Sequence, residues 1–284
     1  MVKIETLPKQ AAEIALATLL FVASALLCGA QEAKAPPPNK GRALIEQAIE
    51  ALGGQAFLDV TEIVREGRIY GFSRGQLASP GQVFIEYFKL PDKWRREYGK
   101  RRNIIYVNNG EEGWELDPQG IREQTPQSIT DFHESLKHDI DILLRRRRTE
   151  PGVQFYYLGS EFISNRRVDI VEMVDAENES YIFYLDAQTH LPAQLRYRER
   201  DELTGEVVPV TEYYGTYLNI QGVRTARQIT GERAGRRTFE AFLSKVEYNS
   251  NISEELYTRE SLEDIWRKIA KKQKKKKKKK DDQD

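Results

Sequence analysis

The stretch QVFIEYFKLPDKWRREY, residues 82–98, decides the class of fold. Gln82 to Leu90 is rich in β-branched and aromatic residues and stops at Pro91, which cannot donate to a strand ladder. Lys93 to Tyr98 then alternates. Trp94, Arg96 and Tyr98 fall on one face and Arg95 and Glu97 on the other, the period of a strand.

Strand signals recur on both sides of this stretch. Thr61 to Tyr70, with Ile63, Arg65 and Ile69, reads as a first strand. Asn103 to Val107 leads into Asn108-Asn109-Gly110, and Gly113 to Leu116 returns to a second turn at Asp117-Pro118-Gln119-Gly120. From Val153 a long meander is predicted, with strands over 153–163, 166–175, 180–186, 193–201, 207–218, 223–231 and 236–249. Ser164-Asn165, Thr204-Gly205 and Ala234-Gly235 are among its hairpin loops. So many strands at this spacing imply a large antiparallel sheet that curls as it twists.

Three helices are predicted beside it. Leu44, Ile45, Ala48, Ile49 and Leu52 form one stripe, stopped by Gly53-Gly54. Ile129, Phe132, Leu136, Ile140 and Leu143 form a second helical face, with Arg145 to Arg148 at its C-terminal end, where cations favour the helix dipole. A third helix, around 254–270, carries Leu256, Leu262, Ile265, Trp266 and Ile269. This excludes a doubly wound α/β protein. The class is β-rich α+β, with helices packed on one side of an antiparallel sheet.

At the N-terminus, Lys3 and Lys9 precede an apolar run from Ile14 to Ala30. Residues 1–30 read as a signal peptide, since the run is short for a spanning helix of about 20 apolar residues. The single cysteine, Cys28, excludes an internal disulfide and a cysteine-based metal site. A lipidation motif would place Leu at Ala25 and a small residue at Leu27. Cleavage after Ala30 is therefore preferred, and a lipid tether at Cys28 to the inner or outer membrane is the alternative. Residues 31–40, with Ala35-Pro36-Pro37-Pro38, read as a linker.

The net charge of zero conceals an asymmetry. Residues 1–266 carry 33 basic and 41 acidic side chains, whereas residues 267–284 carry 11 basic and 3 acidic ones. Repulsion among the lysines predicts a disordered tail from 267 to 284. A solvated end is the first reading of it and attraction to an anionic membrane surface the second. No aromatics interleave with the lysines, which sets nucleic acid aside.

Signs of catalysis are missing from the sequence. His133 and His138 lie five apart, off the spacing of paired helical ligands, and His190 sits in a hairpin, so no metal is expected. No phosphate-cradling loop, G-x-S-x-G or H-E-x-x-H motif occurs. Neither enzymatic activity nor a cofactor is predicted. The strands instead carry an unusual aromatic load, and a curled sheet with one apolar face can leave a cavity suited to an acyl chain.

Residues 41–266 contain further patterns: a helix ending in A-L-G-G, then K-L-P-D-K-W-R-R-E, and N-N-G-E-E-G-W-E-L-D-P-Q-G from Asn108 to Gly120. Y-L-D-A-Q-T-H-L-P-A-Q-L (Tyr184 to Leu195) and N-I-Q-G-V-R-T-A-R-Q-I (Asn219 to Ile229) follow. In these the chain resembles the LolA/LolB-like outer-membrane lipoprotein-sorting proteins. The resemblance implies a curved antiparallel half-barrel whose concave side is covered by helices. It also implies a monomeric periplasmic carrier or binder of lipoproteins or lipids, holding acyl chains without covalent chemistry. By strand parity, Trp94, Trp114, Phe155, Tyr157, Phe183 and Leu185 are the candidate lining. The alternative is an envelope regulatory or structural protein that uses the same fold to bind a protein partner.

Overall fold

The computed structural model describes residues 40–201 and 204–281. The export segment, the linker to residue 39 and the cleavage-or-lipidation choice at Cys28 lie outside them.

The chain enters through α1 (Lys40–Leu52), whose predicted stripe of Leu44, Ile45, Ala48, Ile49 and Leu52 is buried, and a short α2 (Gln55–Leu58). Two glycines set this entry. A Cβ on Gly41 would meet the Tyr156 backbone at 3.0 Å, so glycine lets α1 lie directly on a strand. Gly53 turns the chain at φ 131, where a side chain would be strained and would meet the Gly222 carbonyl oxygen.

Six strands and a short hairpin arm follow: β1 (Glu62–Ser73), β2 (Gln76–Leu77), β3 (Gln82–Lys89), β4 (Lys93–Tyr98), β5 (Ile104–Asn109), β6 (Glu112–Asp117) and β7 (Gly120–Glu123). Then come α3 (Pro126–His138) and α4 (Ile140–Arg145). The second meander is β8 (Gln154–Ile163), β9 (Arg166–Val174), β10 (Ser180–Asp186), β11 (Pro192–Arg200), β12 (Val207–Ile220), β13 (Val223–Arg233) and β14 (Arg236–Tyr248). A 3-10 turn at Glu254–Tyr257 leads to α5 (Arg259–Asp281).

All pairings are antiparallel, in the order β7-β6-β5-β4-β3-β1-β14-β13-β12-β11-β10-β9-β8, with β2 paired to β1 alone. Each meander is therefore local, and the two are joined where β1 meets β14, Ile63 opposite Tyr248. Because β7 and β8 are the two outer edges, the α3–α4 segment between them has to cross the sheet. It does so on the concave side, where Ile142, Leu143 and Leu144 join α1 and inward residues such as Ile63, Phe84 and Phe88 in one core.

Neighbouring residues on the same strands, Val64 and Ile85, point the other way. They form a second core with Ile105, Val107 and Leu116, covered by Tyr257, Leu262 and Trp266. The third predicted helix thus lies on the outer face. Its backbone stays helical to Asp281, through the lysines that sequence reading assigned to a disordered tail from residue 267. Among the described residues, no helix is long and apolar enough to cross a membrane.

The predicted second helical face is split in two. Asp139 takes an extended backbone (φ −65, ψ 124), and its Oδ1 accepts hydrogen bonds from the amides of Asp141 at 2.8 Å and Ile142 at 3.1 Å. It ends α3 and caps α4.

Candidate functional site

A cavity of about 670 Å³ lies between the concave face and α3–α4. Leu52, Phe57, Phe88, Leu144, Val223 and Leu243 give it apolar wall, and Trp94 of β4 with Phe132 and Leu136 of α3 add more. Charged residues share the wall, in an order set by the register of the strands.

Directly opposed residues in a sheet face the same way. One such row runs Arg122 on β7, Glu115 on β6, Tyr106 on β5, Arg96 on β4, Glu86 on β3 and Arg65 on β1. Glu86 is held from both sides. Arg65 Nη1 donates to it at 2.8 Å, Arg96 Nε at 2.8 Å and Trp94 Nε1 at 3.0 Å. Burial alone would raise its pKa, but the two guanidiniums overcome that and hold the carboxyl at about 2.

The row continues upward into the helices. Arg65 also donates to Asp141, which accepts from Arg145 as well, and Arg145 Nε reaches the Phe57 carbonyl at 2.8 Å. Sheet and crossing helices are thus bound by one chain of ion pairs (Arg96, Glu86, Arg65, Asp141, Arg145), and the hydrogen bond to Phe57 ties its end to α2.

Toward β11 and β12 the wall changes character. Glu212 accepts a hydrogen bond from the Tyr214 hydroxyl at 2.6 Å, and burial pushes its pKa up to about 7. Burial and the nearby Asp141 raise Asp139 too. His138 stacks on Tyr197, ring centroids 4.2 Å apart and planes within 7°, and burial favours its neutral form. Its Nδ1 has no hydrogen-bond partner among the described residues, with Glu199 4.0 Å away.

Of the six residues chosen by parity, Trp94 lines this cavity. Phe155, Phe183 and Leu185 face the same side but are buried in the core packed with α1. Tyr157 is partly buried beside them, with the Lys40 ammonium 3.5 Å over its ring. Trp114 faces outward and packs on the second core. The charged wall residues went unselected, although Phe84-x-Glu86-x-Phe88 and Trp94-x-Arg96-x-Tyr98 each set a charge among aromatics of one parity. Among the described residues, no group of three or more His, Cys, Asp or Glu side chains is arranged to hold a metal ion.

The structure is an open antiparallel half-barrel with a helix-covered concave cavity. The particular fold is that of the LolA-like outer-membrane lipoprotein-sorting proteins. A DUF1329 family protein from Desulfovibrio piger matches with a TM-score of 0.55 and 13% identity, over 78% of this chain and 98% of its own. An outer-membrane lipoprotein-sorting protein domain from Vibrio parahaemolyticus matches with a TM-score of 0.52 and 10% identity, over 80% and 99%. No family model matches the sequence, and no curated protein matches it.

Proposed function

We propose that the protein is a carrier or binder of lipoproteins or lipids in the cell envelope, taking acyl chains into the concave cavity without covalent chemistry. The observation that carries this reading is the 670 Å³ cavity, a volume within the range of about 300–1,000 Å³ usual for ligand pockets. The shared fold with a lipoprotein-sorting domain supports it. In this reading the protein is exported as a monomer to the periplasm, α3–α4 form the cover through which a chain enters, and the lysine-rich end meets anionic lipid headgroups.

Native mass spectrometry of the mature protein tests this. A co-purifying lipid, or uptake of an acylated peptide, is the expected result. Repeated preparations that neither carry the one nor take up the other overturn it.

The exposed aromatic and aliphatic residues of edge strand β8 favour a second reading. Leu158 is 51% exposed and Phe162 77%. An unpaired edge of this kind can accept a strand from a protein partner in a regulatory or structural complex. A stable stoichiometric protein partner isolated without lipid would select it.

A further inference from the structure

Two of the strand acids that line the cavity, Glu86 and Glu212, sit in different company. Glu86 lies directly between Arg96 and Arg65. Glu212 lies between Leu195 of β11 and Gly231 of β13, neither of which can offer it a charge. Among the described residues no cation comes within 4 Å of Glu212, whose carboxylate accepts the Tyr214 hydroxyl. The same holds for Asp139, at the α3–α4 junction above it, whose Oδ1 caps α4. The next residue back, His138, is nine-tenths buried, lines the same cavity and leaves Nδ1 unpartnered among the described residues.

The cations of the lining are committed or distant. Arg96 and Arg65 are paired to Glu86, Arg65 and Arg145 to Asp141. Arg224, exposed, sits on β13 opposite Asn219, about 20 Å along the strand from Gly231. Glu199 is already paired with Arg233. The unmatched charge at this end is therefore negative.

We infer that the cavity end between Glu212 and Asp139 binds the ammonium head of an amphiphile whose hydrocarbon chain lies along the apolar wall. This rests on the acyl-binding reading above. An ammonium offers three donors and no acceptor, which suits two carboxylates without cations, whereas an anionic head would meet only repulsion from them.

Proton linkage follows from the same groups. Glu212 faces Tyr214 on its own strand, Tyr197 and Glu199 on β11, Asp139 at the helix junction and, more weakly, Arg65 on β1. Asp139 in turn faces Asp141, Arg65 and Glu86. Ammonium binding needs both acids ionised, so affinity rises as pH passes upward through about 7.

The test compares dodecylamine, dodecanol and dodecanoate as displacers of a fluorescent fatty-acyl probe from the full mature protein. At pH 8 dodecylamine is expected to bind about tenfold or more tightly than dodecanol. That preference should shrink toward pH 5 in the wild type, and should be lost at pH 8 in Glu212→Gln and reduced in Asp139→Asn, which keeps a capping side chain. Equal binding of the amine and the alcohol, tighter binding of dodecanoate, or a pH-independent preference overturns the inference while leaving the acyl-binding reading in place. Failure of all three to bind overturns that reading, and the inference with it.

Discussion

Glu86 concentrates the forces that hold the cavity wall. Its side chain is 2% exposed and shared between Arg65 and Arg96, so removing it leaves two half-buried guanidiniums short of their partner. Glu86→Ala is expected to cost about 3–5 kcal/mol, the usual penalty for breaking a buried pair by removing one side. A urea melt at pH 7 checks this. The acid also makes stability depend on pH in a definite direction. Its carboxyl falls from an ordinary 4.5 to about 2 in the fold, so its contribution is present above pH 4.5 and is lost as pH falls through 2. That contribution amounts to about 3 kcal/mol, and Glu86→Gln should flatten the acid limb of a stability-versus-pH profile by a comparable amount. Glu212 works in the opposite sense. With its pKa raised to about 7, the fold holds a proton that the unfolded chain releases above 4.5. Stability should therefore fall as pH rises from 4.5 through 7, and Glu212→Gln should be more stable than wild type at pH 8 in the same melts. These roles could not be read from one sequence. Glu86 and Glu212 look alike there, each set among aromatic or apolar residues, and only the register reveals arginines beside one and Leu195 and Gly231 beside the other.

Among the elements, α5 is tied to the sheet by a buried arginine as well as by its apolar face. Arg95, 1% exposed on the outer face of β4, donates to Glu97 at 2.8 Å, the Leu256 carbonyl at 2.9 Å and the Ser261 hydroxyl at 2.9 Å. Arg95→Ala strands Glu97 and unties the helix, an expected loss of about 3–5 kcal/mol. Dye binding should rise as Val64, Ile85 and Ile105 lose cover. Strands β3 and β4 were legible because alternation over Gln82–Tyr98 is strong on its own. Strand β7, only Gly-Ile-Arg-Glu, has no such pattern and exists because the Asp117 turn folds it back onto β6. The continuous helical spacing from Ile129 to Leu143 was also real, but periodicity cannot see that Asp139 caps the second half rather than continuing the first. Burial on the outer face was hidden for a similar reason: parity separates the two faces of a strand without saying which one a helix will cover. Trp114 illustrates it, chosen for the cavity and placed against the second core.

Across the whole molecule, charge is divided between an acidic body and a basic end, with 33 basic against 41 acidic residues up to 266 and 11 against 3 beyond. In the proposed function this end should draw the protein to vesicles containing anionic lipid, with binding that weakens steeply as salt shortens the Debye length. Co-sedimentation at rising ionic strength checks it, and a chain ending at Ala270 should remain in the supernatant. The join between β1 and β14 has a consequence in time. Thr61 and Asn249, which meet at its end, are 188 positions apart, whereas nearly every other ladder links strands adjacent in sequence. Closing such a distant contact is slow and needs nearly the whole chain. An emerging polypeptide would therefore assemble each meander early but could not unite them until its last strand was free. The cavity, whose walls come from both meanders, would be the last feature to form. A chain built this way stays threadable until late, which is what the export proposed above would require.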